Sequence, residues 1–184
     1  MSTKKQKSTT ILTSQEQYQS CPRANLLRRL GAYIYDLLAV IALLMLATVI
    51  ALVVVVIAEA LSIIDTSAYP DVAGYLSNSL IFASYLAAVI IIFFAYFWST
   101  ACQTLGMKAW RLRVQNSDGS NITITQSLIR MSTSAFGLGN LFSVFKDRNA
   151  FQDLWAECEV IVLTKELNNW KGFKGLSFLQ QKDK

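Results

Sequence analysis

Histidine is absent from all 184 residues of the chain. Without an imidazole, the sequence has no His-containing catalytic triad and no histidine-rich metal site. Charge is also scarce, because Asp, Glu, Lys and Arg together make up 16% of the residues, against about 25% in an average soluble protein. Hydrophobic residues make up 53% of the chain. This balance predicts an integral membrane protein rather than a soluble domain.

Cysteine is similarly sparse, with three residues at Cys21, Cys102 and Cys158. An odd number without a Cys-x-x-Cys pair predicts free thiols, and we expect neither a metal site nor another cofactor. The spacing of the Ser, Thr and Cys side chains suggests no adjacent general base, and no glycine-rich loop is followed by the lysine of a phosphate site. The sequence therefore predicts a protein that is not an enzyme.

Positive charge is missing from the middle of the chain. Residues 30–101 contain four acidic residues and no Lys or Arg, whereas six bases precede this stretch and eleven follow it. The net charge of +5 could indicate nucleic-acid binding. The bases do not form a face interleaved with aromatic residues, however, so no nucleic-acid partner is expected. Bases on both flanks with acids only between them satisfy the positive-inside rule for a hairpin with both termini in the cytoplasm.

Two apolar runs, at about residues 31–58 and 80–100, are each long enough to cross a bilayer as a helix, since about 20 residues suffice. An acidic loop with turn residues separates them. The first run follows about 30 polar residues and is too long for the core of a cleavable signal peptide, so we expect an uncleaved anchor. The predicted fold class is an all-α membrane protein built on a transmembrane helical hairpin.

A third apolar segment, at about residues 125–145, is interrupted by polar residues and by Gly137 and Gly139. A full crossing would place Lys146 and Arg148 outside, against the charge distribution. A re-entrant or surface-lying helix pair would keep both bases inside, with irregular backbone covered by protein or water. We favour the second arrangement, and the sequence leaves open whether this segment spans the bilayer.

The cytoplasmic segments carry strand signals. Residues 110–115 and 122–125 alternate apolar and polar side chains on either side of the turn signal Asp118-Gly119. This pattern predicts a small cytoplasmic β-hairpin, with which the β-prone run 160–163 could pair. Residues 1–22 and 164–184 are predicted to be basic cytoplasmic tails, the first of them disordered, and they flank a membrane domain at residues 23–163.

Arg29 and Asp36 place opposite charges at the head of the first apolar run. Seven residues at about 100° each make nearly two turns, so both side chains project from nearly the same face, about 10 Å apart along the axis. That separation is long for a direct ion pair, but water or a third polar group could bridge it. Intramembrane charges are costly and are functional candidates. Alternatively, both residues are flank charges near enough to the interface to reach headgroup water.

These features resemble the RDD family of small membrane proteins, named for one arginine and two aspartates. Arg29-x6-Asp36 resembles the family's arginine and first aspartate, and Gln103-Thr104-Leu105-Gly106 resembles the most specific part of its Gly-Gln-Thr-Leu-Gly stretch. The segment from residue 146 to residue 162 resembles the closing part that carries the second aspartate, here Asp153. Family members typically have His-Asp-Arg where this chain has Gln152-Asp153-Leu154.

The resemblance implies a protein of the bacterial inner membrane that takes part in transport of small ions, as monovalent cation/proton exchange. Asp36, Arg29 and Asp153 are then the candidates for binding ions or protons, with Gln103 and Thr104 as polar neighbours at the same cytoplasmic depth. Two or three helices cannot enclose a pathway alone, so this hypothesis requires a homo-oligomer in the lipid bilayer. The alternative is a non-transporting membrane scaffold or accessory subunit, in which the arginine and the aspartates form a structural cluster.

Overall fold

A computed structural model of the chain describes residues 14–134, 150–165 and 167–168. Its helices are α1 (Ser14–Gln19), α2 (Leu26–Ala60), α3 (Val72–Ser77), α4 (Leu80–Tyr96), α5 (Leu105–Ala109), α6 (Ile124–Thr133) and α7 (Phe151–Trp155). A π-helix at Phe97–Ala101 continues α4, and the strands β1 (Leu112–Gln115) and β2 (Glu159–Val162) pair antiparallel. The predicted fold class, a mostly helical membrane protein with a small two-stranded element, is confirmed.

Two helices, α2 and α4 with its π-helical continuation, are long and apolar enough to cross a membrane. The 35 residues of α2 make it about 52 Å long at about 1.5 Å per residue, whereas the hydrocarbon core is about 30 Å thick. The ends of α2 therefore extend beyond that core. No residue of α4 is fully buried, so although one side of this helix packs against α2 and α6, much of its apolar surface is left uncovered by the described part of the chain.

The acidic connection between the two long helices contains more structure than its turn residues predicted. Asp71 caps α3, because its side chain accepts a hydrogen bond from the backbone N–H of Gly74 over 2.6 Å. Closer to α2, the Thr66 hydroxyl donates to the carboxylate of Glu59. These local hydrogen bonds satisfy polar groups at the end of the hairpin that carries no basic residue.

The sheet joins two distant parts of the chain, since Leu112 of β1 lies opposite Val162 of β2. The chain just before α2 lies along β2 as well: the N–H of Ala24 donates to the carbonyl of Val160, and the N–H of Val162 donates to the carbonyl of Pro22, each over 2.8 Å. The sheet is thereby fixed against the start of α2. The run at residues 160–163 does supply a strand, as its composition predicted.

The predicted second strand of the β-hairpin, residues 122–125, is wrong. The turn before it forms, with the N–H of Gly119 donating to the carbonyl of Asn116 over 2.9 Å. The chain then enters α6, because Thr123 and Gln126 form a capping box in which each side chain bonds to the other's backbone N–H. Threonine followed three residues later by glutamine is a helix-start signal, and it outweighs the short alternation of Ile and Thr.

A compact core lies beside the sheet, at the end of the hairpin where α2 begins and the π-helix ends. Buried apolar side chains from the sheet, α2, α5, the π-helix and the segments that connect these elements form it: Ala24, Ala32, Trp98, Cys102, Met107, Leu112, Val114, Ile122, Ala156, Cys158 and Val160. This core packs the cytoplasmic segments predicted from the sequence onto the first turns of α2. It is the frame that positions the polar residues described below.

Several predictions concern residues outside the described ranges. Of the third apolar segment, α6 covers its beginning, and residues 135–149 lie outside the described part of the chain. Whether that segment crosses the bilayer therefore stays a prediction. The same holds for the tails at residues 1–13 and 169–184, whereas α1 lies within the predicted N-terminal tail.

Candidate functional site

Asp36 lies on α2 about two turns beyond Arg29 and is buried, with 6% of its surface exposed. Its carboxylate oxygens have different donors: the Thr104 hydroxyl donates to Oδ2, and the backbone N–H of Gly106 donates to Oδ1 over 2.8 Å. Both donors are neutral. Asp36 makes no ion pair within the described part of the chain. Among the described residues, the carboxylate is therefore stabilised by hydrogen bonds alone.

The first turn of α5 explains why this geometry forms. Thr104 caps the helix in an extended conformation, and its hydroxyl accepts from the N–H of Met107 over 3.2 Å while donating to Asp36. A β-carbon at Gly106 would collide with the backbone carbonyl oxygen of Ala32 and approach the carboxyl carbon of Asp36. Only glycine allows α5 to approach the backbone of α2 this closely. The specific Gln-Thr-Leu-Gly block therefore holds α5 against α2, the helix that carries Asp36.

Asp153, at the third position of α7, is fully buried between two arginines. Nη1 of Arg29 lies 2.5 Å from Oδ2, and Nη1 of Arg130 bonds to Oδ1. The side chains of the two arginines are 3% and 6% exposed and that of Asp153 is 0% exposed. One carboxylate thus connects α2, α6 and α7.

Further groups complete this cluster of Arg29, Asp153 and Arg130, called here the arginine cluster. The backbone N–H of Ala150 donates to Asp153 Oδ2 over 3.3 Å, and Nη1 of Arg130 lies 3.3 Å from the sulfur of Cys158. Burial would raise the pKa of Asp153, but Arg130 and Arg29 outweigh it and hold that pKa below its ordinary value. Burial raises the pKa of the Cys158 thiol, so the sulfur stays protonated at neutral pH.

The arginine cluster carries one net positive charge, since two guanidinium groups share one carboxylate. Burying such charges is costly, and their mutual attraction offsets the cost only where geometry is good and hydrogen bonds complete it. Removing one member of a buried pair typically costs about 3–5 kcal/mol, because an uncompensated charge remains. The cluster is therefore expected to fix one arrangement of α6 and α7 on α2.

The structure separates the predicted site residues into different groups. Arg29 pairs with Asp153 rather than approaching Asp36 through a bridging group, so the two charges at the head of α2 serve different partners. Thr104 contacts Asp36 as predicted. Gln103 belongs to neither group: its side-chain amide donates to the carbonyl of Leu112 over 2.6 Å and to Asn168 over 3.0 Å.

Arg130 is a site residue that the sequence reasoning missed. It is one of the polar residues that interrupt the third apolar segment, and it is buried and bonded to Asp153. A signal was present, because a lone base in an apolar stretch is expected to face protein and to pair with an acid. The same argument as for Asp36 predicts that Arg130 has an acidic partner, but it does not identify that partner as Asp153.

Asp36 and the two arginines of the arginine cluster line the same cavity, which has a volume of about 610 Å³ and lies between α2, α4 and α6. Arg29, Asp36, Arg130 and Gln152 are among the polar residues of its wall. The remaining wall is largely apolar and follows α2 and α4 into the hairpin, with Tyr33, Leu37, Val40, Ile41, Leu44, Ala87, Ile90, Ile91, Phe94 and Trp98. A metal centre of three or more Cys, Asp or Glu residues is not formed within residues 14–134, 150–165 and 167–168.

The sequence of this site can be compared with known families. The family model described as the RDD family matches residues 23–157, which includes both aspartates and both arginines of the site. The chain belongs to the RDD family. No curated protein and no solved structure matches it.

Membership in the RDD family agrees with the two apolar helices, and the protein is of the membrane type. The matched range begins at residue 23, as the resemblance implied, and ends at residue 157 rather than residue 163. This RDD protein has Gln152-Asp153-Leu154 where the resemblance implied His-Asp-Arg. Despite that difference, Asp153 forms an ion pair with Arg29, so the second aspartate here contacts the arginine from which the resemblance started.

Proposed function

We propose that this RDD protein exchanges a monovalent cation for a proton across the membrane, with the carboxylate of Asp36 binding either one. The observation that carries the proposal is the distribution of charge. Arg29 and Arg130 are both engaged with Asp153, whereas Asp36 has the neutral donors Thr104 and Gly106. A carboxylate in a membrane helix with only neutral partners can be neutralised by a proton or by a cation.

The surroundings of Asp36 support such an exchange. Asp36 lines the cavity between α2 and α4, so small ions have space next to the carboxylate. Na⁺, K⁺ and Li⁺ are hard cations that favour oxygen ligands, and the Thr104 hydroxyl offers a second oxygen at the same place. Because a proton and a cation compete for the same carboxylate, binding of one releases the other.

The proposal includes a homo-oligomer in the bacterial inner membrane, with both termini in the cytoplasm. Two long helices cannot enclose a pathway, and α4 has no buried residue within the chain, so a second copy has an apolar surface to pack against. The orientation rests on the bases that flank the hairpin and on the acids in its connection. The sheet, α5, α6 and α7 pack at the same end of the hairpin as the flanking bases, which supports placing them together in the cytoplasm.

A second function, a non-transporting scaffold or accessory subunit, is favoured by a different observation. Asp36, Asp153 and Gly106 hold α5, α6 and α7 against α2, and such contacts are sufficient for a purely structural role. In that case Asp36 serves to dock α5. Asp36→Asn separates the two functions, because the amide oxygen can still accept the N–H of Gly106 while the negative charge is removed.

The experiment measures proton movement in proteoliposomes that contain the purified chain, with an internal pH dye and pulses of Na⁺, K⁺ and Li⁺. We expect cation-dependent proton movement from the wild type and none from Asp36→Asn reconstituted at the same level. Glu59→Gln, at the other end of α2, is the matched control and should retain activity. Silence of the wild type, in vesicles where a known antiporter works, would exclude exchange by this chain alone and favour the scaffold.

A further inference from the structure

Two side chains of the cavity wall carry buried N–H groups that have no acceptor among the residues the structure describes. These groups are Nε1 of Trp98 and Nε of Arg130. Trp98 is 9% exposed and Arg130 is 5% exposed, and the guanidinium carbon lies 5.0 Å from the centroid of the indole ring. Unsatisfied buried donors are rare and need an explanation. A bound ligand whose oxygen atoms accept hydrogen bonds from these two N–H groups would explain them.

The shape of the cavity restricts what that ligand can be. Its volume of about 610 Å³ lies within the range of about 300–1,000 Å³ typical of ligand sites. Away from Trp98 and Arg130, the wall is largely apolar along α2 and α4, where Val40, Leu44 and Ala87 line it. A molecule that occupies the apolar part of this space needs an oxygen-bearing head at one end and a long apolar part along the two helices.

The charges around the cavity indicate which head group fits. The arginine cluster contributes one net positive charge, and Asp36 contributes a negative charge when it is ionised, so the two cancel. Net charge therefore does not select the ligand. The two adjacent N–H donors instead select oxygen acceptors, and a phosphate group presents several of them to an arginine. Zwitterionic and anionic phospholipids share this phosphate and both satisfy the donors.

We propose that the cavity binds one membrane phospholipid. Its phosphate oxygens accept hydrogen bonds from Trp98 and Arg130, and one acyl chain lies between α2 and α4. The lipid comes from the leaflet on the side of the sheet, where these two residues lie. This binding does not depend on cation exchange, because Asp36 is not a ligand of the phosphate.

The test is native mass spectrometry of the full chain, delipidated in a maltoside detergent that carries no phosphate. Dioleoylphosphatidylcholine and dioleoylglycerol are the two probes, since they share their acyl chains and differ in the phosphate head. We expect one tightly bound phosphatidylcholine per chain at a low lipid ratio. Occupancy by dioleoylglycerol should be at least about tenfold lower, which corresponds to the loss of one or two good hydrogen bonds.

Two pairs of variants locate the lipid. Trp98→Phe keeps the ring and removes the N–H, and we expect about tenfold weaker phosphatidylcholine binding, whereas Trp155→Phe, at an exposed position outside the cavity wall, should bind as the wild type does. Ala87→Phe narrows the cavity between the helices and should abolish binding. Ala88→Phe, the next residue on α4 and not part of the wall, should leave binding unchanged.

The outcomes that overturn the proposal are equally specific. Equal binding by Ala87→Phe and Ala88→Phe would mean that the lipid lies on the outer surface of the helices. Equal binding of dioleoylglycerol would exclude phosphate recognition, and the absence of any bound lipid in the wild type would exclude the site. The thermal unfolding midpoint of each variant is measured alongside, and Trp98→Phe decides the question if Ala87→Phe does not fold.

Discussion

The backbone N–H of Gly106 donates to Asp36 Oδ1 over 2.8 Å and joins residues that are 70 positions apart. This bond connects the most specific sequence block of the chain to the aspartate of its first long helix. Two features make it possible: an oxygen acceptor on the side chain of residue 36, and a residue without a β-carbon at position 106 so that the helices can meet.

Gly106→Ala is expected to weaken this docking. The added methyl group would collide with the carbonyl oxygen of Ala32, and overpacking of this kind costs about 1–3 kcal/mol, occasionally more. We expect a lower unfolding midpoint in detergent, measured by tryptophan fluorescence. Leu105→Ala, at an exposed position of the same helix, is the matched control. An unchanged midpoint for Gly106→Ala would mean that α5 does not lie against α2 as described.

Asp153→Asn is expected to be the most destabilising single change in the site. It leaves Arg29 and Arg130 buried without their shared counter-charge, at a cost of about 3–5 kcal/mol. Glu157→Gln removes an exposed acid four residues away and should have little effect. Denaturant unfolding in mixed micelles measures both, and equal stability of the two variants would contradict the arginine cluster.

A double variant tests whether the loss comes from charge. Replacing Arg130 by Gln in the Asp153→Asn background leaves one buried arginine uncompensated instead of two. The double variant should therefore be more stable than the sum of the two single losses predicts, because residues in one network are not additive. Additive losses would mean that Arg130 and Asp153 contribute independently.

The sequence predicted much of this arrangement but not its ion pairs. Both long helices and the strand at residue 112 follow from hydropathy and alternation, and the cost of intramembrane charge makes Asp36 a candidate site residue. The partner of Arg29 could not be predicted from the sequence, because Asp153 is 124 residues away and no local rule selects one acid among several. The sequence did suggest that the run at residues 160–163 pairs with the strand at residue 112. It predicted a wrong strand at residues 122–125, because the capping box at Thr123 competed with an equally short strand pattern.

Stability at low pH should depend on Asp153. Its pKa in the folded protein lies below the ordinary value of 3.8, so the carboxylate favours the folded state above about that pH, and the contribution is lost as pH falls through the lower folded pKa. The difference in unfolding midpoint between the wild type and Asp153→Asn should be constant near neutral pH and should shrink in strong acid. A difference that grows on acidification would contradict the lowered pKa.

Thiol labelling provides a test of both burial and orientation. Cys102 and Cys158 are buried, whereas Cys21 is partly exposed. Burial raises the pKa of all three thiols, so access of the reagent decides which one reacts first. We expect a maleimide to label Cys21 first in the folded protein, and the other two after unfolding. Rapid labelling of Cys158 in the native protein would contradict its position beside the arginine cluster.

The same thiol reports the direction in which the hairpin crosses the membrane. Bases flank both long helices and acids lie between them, so Cys21 should face the cytoplasm and the exposed connection near Ser67 should face the other side. A membrane-impermeant maleimide should label Cys21 in inverted vesicles. It should label Ser67→Cys, in a Cys21→Ser background, in right-side-out vesicles. The reverse pattern would place the arginine cluster and the Asp36 carboxylate on the outer side, and proton exchange would then have to be assayed with the opposite gradient.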